Sequence, residues 1–293
     1  MLRGLYAAWG DDFLAKIAVA EKTRSRVLAE GDGWTVSDVV CTSGPDDRPF
    51  EERHADFSIA IVAAGTFEYR SAAGRELMTP GSLMLGTAGQ SFECGHEHGV
   101  GDRCVAFWYA PAYFERLAAD AGARGTARFG ALRLPPLRAL SPLVASACAG
   151  IGRPLGASWE EIGVRLAAQA VQLSRGLPPR ANGAPPGAVA RVTAAVRRIE
   201  REPDDALSLR SLAREARLSP YHFLRTFERI TGVTPHQYVL RVRLRRAATA
   251  LATEPGKVLD VALDSGFGDL SNFHRAFRAE FGVSPRAYRR RAG

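Results

Sequence analysis

The sequence has 293 residues, which is enough for about two domains that each bury a core. Its formal net charge is +8, and residues 185–293 hold 20 of the 39 Lys and Arg residues but only 11 of the 31 Asp and Glu residues. Because the whole basic excess lies in this C-terminal part, we expect one domain to bind a polyanion and the other not. No apolar run approaches about 18 residues, which excludes a membrane-spanning helix.

The N-terminal residues and the cysteines indicate where the protein works. Asp11 and Asp12 stand where a signal peptide needs an uninterrupted apolar stretch, so we expect a cytoplasmic protein. Four cysteines in a chain of this length do not make the dense disulfide framework of a small secreted domain. Any role for these thiols therefore has to be argued from their neighbours.

Between residues 33 and 109 the sequence predicts short β-strands separated by turns. The strand-forming residues are concentrated in five runs, at 34–42, 57–64, 66–70, 82–87 and 103–109. Many short strands at close spacing favour a β-sandwich or a small barrel. Helices are predicted over 111–122 and over 158–175, where apolar residues recur at helical spacing.

The segment LPPRANGAPPGA, residues 177–188, is rich in Pro and Gly and indicates a break between domains. We place a linker at 177–187, between a domain at 1–176 and a domain at 188–293. The second domain is predicted to be all helical, with helices over 188–201, 209–217, 220–231, 235–252, 257–265 and 270–281 and a short terminal helix. The expected fold class is therefore multidomain α+β, a β-sandwich or barrel with flanking helices followed by an all-α domain.

A repeat lies within the helical part. FLRTFERITGVTPHQY (223–238) and FHRAFRAEFGVSPRAY (273–288) share Phe, Arg, Phe, Gly, Val, Pro and Tyr at a constant offset of 50 residues. Ser208 and Ser219 are predicted N-caps of two short helices in the first copy, and Asp269 is the corresponding cap in the second, where the turn is one residue longer. Two short helices, a tight turn and a basic polar outer face make a helix-turn-helix, so the sequence predicts two such units and DNA as their partner.

Two stretches carry a resemblance to a known family. They are SLAREARLSPYHFLRTFERITGVTPHQYVLRVRLRRAATAL and VALDSGFGDLSNFHRAFRAEFGVSPRAYRRR, and the second contains A-x-x-x-GF, F-x-R-x-F and G-x-SP-x-x-YR. Over roughly its last 100 residues the chain closely resembles the AraC/XylS family of bacterial transcription regulators. The resemblance implies sequence-specific binding to double-stranded promoter DNA, with the two units in successive major grooves.

Carried over position by position, the resemblance implies base contacts from the second helix of each unit. The residues are Tyr221, His222, Leu224 and Arg225 in the first unit and Ser271, Asn272, His274 and Arg275 in the second. Leu224 departs from the polar residue often found there and would offer an apolar contact, such as one to a thymine methyl group. A connecting helix of about 17 residues is about 25 Å long. When the width of the helices is added to this length, the two units are far enough apart to reach successive major grooves, which lie about 34 Å apart.

The strand-rich part resembles the cupin-like sensor domain that is often joined to such DNA-binding units. The resemblance rests on His54 ahead of FSIAIVAAGTFEYR and on MTPGSLMLGTAGQSFECGHEH, residues 78–98. It implies a pocket for an effector, with His54 as a pocket residue. It also implies a homodimer formed through flanking helices, for which helix 158–175 is the candidate.

The segment FECGHEHGVGDRC, residues 92–104, concentrates metal-ligating side chains. It supplies two thiols and two imidazoles, which are ligands that zinc favours. On an extended backbone the side chains of Cys94, His96 and His98 would project to the same side. The candidate zinc ligands are Cys94, His96, His98 and Cys104. His54 and Cys41 on neighbouring strands are possible additions. Three alternatives stay open, because the spacing matches no standard zinc finger: a thiol-based sensor of oxidants or electrophiles, a metal-free pocket wall, and a structural role in which Cys94 and Cys104 are ordinary buried residues.

Together these features predict a one-component regulator whose N-terminal domain senses an effector and dimerises. Effector binding would shift the population of domain arrangements and so change DNA affinity or the access of RNA polymerase. Activation is commoner than repression in the family that the chain resembles, so we expect an activator.

Two other functions are alternatives to the regulator. The first is a metal-dependent cupin enzyme with a DNA-targeting domain, but no carboxylate–His arrangement, nucleophile elbow or phosphate loop supports catalysis, and we expect no catalytic residues. The second is an architectural DNA binder without a ligand. The large N-terminal half without basic excess speaks against it.

Overall fold

The two parts of the chain fold as their composition predicts, the first mainly as sheet and the second as helices. A computed structural model of the protein describes residues 22–47, 49, 51–123, 125, 128–152, 158–175, 184–204 and 207–292. Within these residues the last strand ends at Leu134, and helices with short connections follow. The multidomain α+β class expected from the sequence is confirmed.

The described strands of the N-terminal domain form two antiparallel sheets. Their strands are β1 (Thr23–Gly31), β2 (Trp34–Cys41), β3 (Glu51–Arg53), β4 (Phe57–Gly65), β5 (Phe67–Ser71), β6 (Gly74–Met78), β7 (Leu83–Gly86), β8 (Ser91–Gly95), β9 (Asp102–Tyr109) and β10 (Arg133–Leu134). In the described part of the chain the larger sheet has the order β1-β2-β9-β4-β7-β10 and the smaller has the order β3-β8-β5-β6. The five predicted runs correspond to β2, β4, β5, β7 and β9.

The larger sheet is apolar on both faces, which explains the uninterrupted apolar run FSIAIVAA. Along β4, Ile59 and Ile61 pack against helices, whereas Ala60 and Val62 face the smaller sheet. Side chains on a strand alternate between its two faces, so a strand that is buried on both sides needs apolar residues at every position. The space between the sheets is the place where a ligand could be enclosed.

The outer face of the larger sheet is covered by α1 (Pro111–Asp120), α2 (Ser141–Gly150) and α3 (Ser158–Arg175). The predicted apolar face of α3 is confirmed, since Ile162, Leu166 and Ala170 are buried. The Tyr109 hydroxyl donates a hydrogen bond of 2.9 Å to the carbonyl oxygen of Gly163 and fixes this helix on the sheet. Because the apolar face is used inside the domain, a dimer contact through α3 would have to use its polar face.

The C-terminal part consists of α4 (Pro186–Arg201), α5 (Leu209–Glu215), α6 (Pro220–Thr231), α7 (Pro235–Thr253), α8 (Val258–Asp264), α9 (Leu270–Phe281) and α10 (Pro285–Ala292). The predicted helices agree with these bounds to within about two residues at each end. Residues 176–183 lie outside the described part, so the linker at 177–187 and the domain boundaries beside it stay predictions. None of the described helices is both long and apolar enough to cross a membrane.

The edge of the larger sheet contacts the end of α6 through one buried arginine. The guanidinium of Arg133 on β10 donates hydrogen bonds of 2.8 Å to the main-chain oxygens of Ile230 and Thr231. The same group forms an ion pair of 3.0 Å with Glu76, and the Arg133 side chain is only 1% exposed. A charge so deeply buried is tolerated only when its donors are satisfied, so this contact fixes the first half of the helical part against the sheet.

A second contact joins the N-terminal domain to the last helices. Ala145 on α2 is buried in the apolar cluster that contains Phe273 and Phe277. Beside it, the Ser141 hydroxyl donates a hydrogen bond to the Glu280 carboxylate. The N-terminal domain therefore packs against both halves of the helical part.

Candidate DNA-binding surface and ligand cavity

The first repeated unit is a helix-turn-helix made by α5 and α6. Its predicted caps are confirmed, because Ser208 Oγ accepts a hydrogen bond of 3.0 Å from the Ser211 amide and Ser219 Oγ accepts one of 3.3 Å from the His222 amide. Phe223 and Phe227 recur one helical turn apart and are fully buried. They fix α6 on the core and leave its other side to solvent.

The second unit repeats this construction with α8 and α9. The Asp269 carboxylate accepts hydrogen bonds from the amides of Ser271 at 2.9 Å and Asn272 at 3.2 Å, which confirms it as the N-cap. Phe273 and Phe277 are fully buried, like their counterparts 50 residues earlier. The residues shared by the two copies are thus mainly those that build each unit.

The helices α6 and α9 present matching outer faces. Over residues 221–229 and 271–279 the succession of exposed, half-buried and buried residues is identical. The predicted base-contacting residues lie on these faces, where Tyr221, His222, Arg225, Ser271, Asn272 and Arg275 are exposed and Leu224 and His274 are half-buried. Tyr221 is 66% exposed, so packing within the unit does not explain an aromatic side chain at this position.

Local hydrogen bonds orient part of this surface. A terminal nitrogen of Arg275 donates a hydrogen bond of 3.1 Å to Asn272 Oδ1, which holds the guanidinium beside the amide. In the first unit Ser219 Oγ lies 3.1 Å from His222 Nδ1, so the cap residue also positions this imidazole. A guanidinium carries five donors, so Arg275 keeps donors for an external acceptor.

One helix joins the two units and belongs to both of their cores. Tyr238 and Val242 in the first half of α7 pack in the cluster of the first unit, and Leu244 and Leu251 pack in that of the second. The 19 residues of α7 span about 28 Å. The predicted connecting helix is confirmed, and it fixes the separation of the two outer faces.

The turns of both units have one residue in a left-handed backbone conformation, and this residue is an arginine in the first turn and a glycine in the second. Arg217 has φ of 53° in the first turn, and Gly266 has φ of 84° at the matching position of the second. A Cβ on Gly266 would lie 2.8 Å from Asp204 Cα and 3.0 Å from the Pro203 oxygen, so the glycine is required by its surroundings as well as by its φ.

Gly266→Ala is therefore expected to lower the free energy of unfolding by more than about 1 kcal/mol. The matched change Arg217→Gly relieves a strained non-glycine residue and is expected to be neutral or stabilising by up to about 1 kcal/mol. Urea denaturation of both variants measures the difference. Equal destabilisation by the two changes would contradict this account of the turns.

The geometry of the helical part agrees with the comparisons to known proteins. A family model for a helix-turn-helix domain matches residues 212–291. The regulator MtrA of Neisseria gonorrhoeae is 32% identical over 98 residues, which are 33% of this chain and 33% of MtrA. The activator RclR of Escherichia coli K12 is 34% identical over 101 residues, 34% of this chain and 36% of RclR. The transposon Tn10 TetD protein of Escherichia coli is 36% identical over 92 residues, 31% of this chain and 67% of TetD.

The chain belongs to the AraC/XylS family of transcription regulators. The resemblance noted in the sequence is thereby confirmed, and the helical part is an AraC-type DNA-binding domain. The chain spans only about one third of the length of MtrA and RclR. These similarities therefore describe the AraC-type domain, and the N-terminal domain has to be understood from its own residues.

In front of the AraC-type domain, the β-sandwich has a cavity of about 220 Å³ between its sheets that is partly open to solvent. The wall is mainly apolar and aromatic, with Met84, Phe92 and Trp108 among its residues. Polar groups enter it at His54 and at His96, together with nearby thiols and carboxylates. A largely apolar cavity with a few convergent polar groups is the usual form of a small-molecule site.

His54 lies in this cavity wall as a neutral imidazole. Its ring stacks on Phe92 with ring centroids 4.1 Å apart. Nε2 lies 2.8 Å from the Tyr69 hydroxyl, and Nδ1 lies 3.3 Å from Ser58 Oγ. Burial lowers the pKa of His54 to about 4, because the charged form would lose its hydration.

The burial of His54 predicts a loss of stability in acid. Unfolded His has a pKa of about 6.5, so between about pH 6.5 and pH 4 the unfolded chain binds a proton that the folded chain does not. Wild type is expected to lose about 2 kcal/mol more than His54→Gln between pH 7 and pH 4.5. Denaturant unfolding at both pH values measures this difference. Parallel pH profiles would contradict a neutral, buried His54.

The structure divides the four residues of the predicted zinc site. Cys94 on β8 and Cys104 on β9 face the core between the sheets. Burial raises the pKa of both thiols well above the usual value. His96 and His98 follow β8 but enter different groups of side chains. Among the described residues the four do not come together as one group of ligand atoms.

His96 belongs to a group that the sequence alone did not assemble, with Cys41 and Asp102. Its Nε2 lies 2.6 Å from Asp102 Oδ2, and both side chains are less than 10% exposed. Burial disfavours the charged form of His96, but the Asp102 carboxylate and the Cys41 thiol outweigh it and raise the pKa of His96 to about 9. Burial likewise opposes ionisation of Cys41, yet hydrogen bonds from His96 and Ser43 lower the pKa of Cys41.

Asp102 is not among the predicted ligands, because it stands beside glycines in a segment whose pattern of ligand types is set by thiols and imidazoles. A signal was present in the strands. Cys41 lies near the end of the predicted run 34–42, and Asp102 directly precedes the predicted run 103–109; in the structure these runs pair in antiparallel fashion, with Cys41 directly opposite Asp102. If the two runs are paired as antiparallel neighbours with Trp34 opposite Tyr109, the side chains of Cys41 and Asp102 lie side by side.

Proposed function

We propose that this protein is a transcription regulator that binds promoter DNA through α6 and α9 and responds to a ligand in its N-terminal domain. The observation that carries the proposal is the pair of matching, exposed helix faces held at a fixed distance by α7. Membership of the AraC/XylS family supports it. A cavity-bearing domain that packs against both units supplies the route for control.

In this proposal each unit contacts bases in one major groove. Arg225 and Arg275 offer the paired donors that suit the acceptors of guanine, and Leu224 offers an apolar contact for a thymine methyl group. Asn272, hydrogen-bonded to Arg275, adds an amide at the neighbouring position. The two faces differ in every predicted contact except the arginine, so the two units bind different base sequences.

The proposed interface with DNA also includes the other predicted contact residues, Tyr221, His222, Ser271 and His274. Tyr221 lies next to the helix start at Pro220, where an exposed aromatic ring can reach the sugar-phosphate edge or a base. About 28 Å of α7 separates the units, and the added helix width brings the outer faces toward the roughly 34 Å between successive major grooves.

The effector in this proposal occupies the cavity between the sheets. The aromatic wall and the neutral His54 suit a small organic molecule that carries a hydrogen-bonding group. A wider cleft of about 910 Å³ lies between the domains and is lined by Arg70, Arg75 and Arg229. Charged groups make up much of the wall of that cleft, whereas the wall of the cavity between the sheets is mainly apolar, so the cavity between the sheets fits a small organic effector better.

Ligand control requires a difference between the bound and free arrangements of the two domains. The buried Arg133 at the end of α6 and the contact of α2 with the second unit are the places where that difference would act. A ligand that favours one packing of the sandwich would change the freedom of both units to reach adjacent grooves. DNA would change ligand affinity by the same factor.

We further propose that the regulator activates transcription, acts with RNA polymerase in the bacterial cytoplasm and works as a homodimer. The relative RclR is named a transcriptional activator, which supports activation. A dimer would bind a longer site and explain why so large a domain precedes the DNA-binding units. The chemistry of the described site favours binding over catalysis.

Transcription in vitro tests the regulator directly. A template carrying a sequence selected for binding by the full chain is transcribed with bacterial RNA polymerase, with and without the protein. We expect more transcript with wild type and no increase with the double variant Arg225→Ala/Arg275→Ala. Less transcript with wild type would contradict activation, and equal transcript would contradict regulation at that sequence.

The ligand response is tested by thermal shift on the full chain with a panel of small organic molecules and metal salts. Any compound that raises the melting temperature is then tested for its effect on DNA affinity. Ligand control predicts a change of at least about fivefold. A compound that binds in the cavity and leaves DNA affinity unchanged would contradict the coupling.

A further inference from the structure

Two strand ends and one loop bring a thiol, an imidazole and a carboxylate together. Cys41 at the end of β2 and Asp102 at the start of β9 are direct cross-strand partners, so their side chains leave the same face of the sheet. His96 follows the last residue of β8 in the opposite sheet. The group therefore bridges the open end of the space between the sheets.

Two glycines allow this close approach. Gly65 has φ of 79°, and a Cβ on it would lie 2.3 Å from the Gly101 oxygen and 2.6 Å from Asp102 Cα. Gly101 has φ of 69°, and a Cβ on it would lie 2.8 Å from the Cys41 oxygen. Backbone atoms cannot yield as flexible side chains do, so the glycines hold the loop that carries Asp102 tightly against Cys41.

We propose that Cys41, His96 and Asp102 bind one divalent metal ion of the zinc class. One ligand atom from each of the three lies within 4.8 Å of the others. Thiolate, imidazole and carboxylate are the three ligand types of protein zinc sites. Binding of an ion would release the proton that His96 holds against Asp102 and Cys41, and the thiolate, carboxylate and neutral imidazole that remain carry the two negative charges that a doubly charged cation balances.

The dimensions suit such an ion after a small adjustment. Ligand atoms about 2.05 Å from a tetrahedral ion are about 3.3 Å apart, so the 2.6 Å between His96 Nε2 and Asp102 Oδ2 would open by a fraction of an ångström. Three protein ligands leave a fourth position for water or a ligand atom. Cys41 and His96 also line a second small cavity of about 40 Å³, so the group is reached from two sides.

The neighbouring residues support this set over the contiguous motif 94–104. His98 lies with Glu68 and Glu97, but the Arg70 guanidinium forms ion pairs with both of these carboxylates and occupies the place of a cation. Cys104 has its Sγ 3.4 Å from Asp102 Oδ1 and so contacts the carboxylate rather than the ion. It is in position to orient Asp102.

The loop between His96 and Asp102 also contacts the helical part. Gly99 packs so closely on α4 that an added Cβ would lie 2.5 Å from the Arg197 guanidinium. An ion that draws His96 and Asp102 into one coordination sphere would fix this loop and its contact with α4. Metal control of DNA binding by this route rests on the proposed function, whereas the metal site itself does not.

Metal titration of the full chain decides the site. Wild type is expected to bind one Zn²⁺ or Co²⁺ per chain, and the Co²⁺ form should show the near-ultraviolet charge-transfer band of a thiolate ligand. Cys41→Ser should abolish that band and weaken binding at least about tenfold, and Asp102→Asn should weaken binding similarly. Less than about a tenth of an equivalent bound by folded wild type would overturn the site, whatever the behaviour of the variants.

His98→Gln and Cys148→Ser are the matched controls, an imidazole and a thiol outside the group. Both are expected to bind Co²⁺ with unchanged affinity and an unchanged band. Loss of binding in His98→Gln together with retention in Cys41→Ser would overturn this ligand set in favour of the contiguous motif. Circular dichroism of each variant separates loss of a ligand from loss of the fold.

DNA binding is then measured with and without one equivalent of Zn²⁺ on a selected duplex. A change of at least about fivefold that Cys41→Ser abolishes is expected if the ion acts as an effector. Unchanged DNA affinity in wild type would overturn this regulatory role while the titration still establishes the site. Absence of any sequence-specific DNA binding would instead contradict the proposed function.

Discussion

Arg133→Met is expected to lower the free energy of unfolding by about 3 kcal/mol. The substitution keeps much of the side chain's length but removes its charge and donors. It leaves the Glu76 carboxylate without its ion pair of 3.0 Å and removes two hydrogen bonds of 2.8 Å to the main-chain oxygens at the end of α6. Breaking a buried pair from one side costs far more than an exposed pair contributes, because the remaining charge stays buried.

The same change should weaken the connection between the domains. A guanidinium at the C-terminal end of α6 also stabilises the helix through its dipole, so hydrogen exchange should become faster in the last turn of α6. Arg138→Met is the matched control, an exposed arginine five positions along, and should change stability by less than about 0.5 kcal/mol. Equal stabilities of the two variants in urea would contradict the importance of the buried contact.

Arg275→Ala is expected to weaken specific DNA binding by about 1–3 kcal/mol and to relax the preference at one base position. The guanidinium is exposed on the outer face of α9 and is held beside Asn272 by a hydrogen bond of 3.1 Å. Arg275→Lys should restore only part of the affinity, because an ammonium group lacks the paired donors that match guanine. Binding titrations on the selected duplex and on its single-base variants measure both effects.

Arg225→Ala provides the internal control for this result, since it removes the same group from the first unit. It should relax a different base position. Arg165→Ala, at an exposed arginine on α3, should leave binding unchanged. An equal loss on every duplex sequence would assign Arg275 to the phosphate backbone instead of a base.

The helical part could be predicted from the sequence almost completely. Its signals are local, since Ser219 and Asp269 cap helices through bonds three residues away or fewer, and pairs such as Phe223 and Phe227 lie one turn apart. The repeat also supplied a second copy of each signal. Sequence alone could not supply the packing of both units against the N-terminal domain, because Arg133 forms its bonds about 100 residues along the chain.

The sandwich was predicted less completely, for a physical reason. The strands β1, β3, β6 and β8 carry exposed or half-buried residues and lack the apolar runs that mark β4 and β9. The helix α2 was also missed, because SPLVASACAG is nearly all small and apolar and has no amphipathic period. Its burial on two sides explains that composition.

The group of Cys41, His96 and Asp102 illustrates the limit of sequence-based prediction most clearly. The spacing of Cys94, His96, His98 and Cys104 predicts one cluster, but alternation along a strand and the turn after β8 send these side chains to different places. Cys41 comes from β2, which is distant from β9 in the sequence, and its position opposite Asp102 depends on the pairing of these two strands. Ligand sets that cross between sheets are therefore better derived from strand pairing than from contiguous motifs.

Selection of binding sites from random duplex DNA by the full chain tests the central claim most directly. Two units that differ in their outer faces predict two different sequence elements, with centres about one helical turn or 10 base pairs apart on one face of the duplex. Repeating the selection with Arg225→Ala should relax one element, and with Arg275→Ala the other. A single element, relaxation of the same positions by both variants or binding without sequence preference would contradict the account of two DNA-binding units.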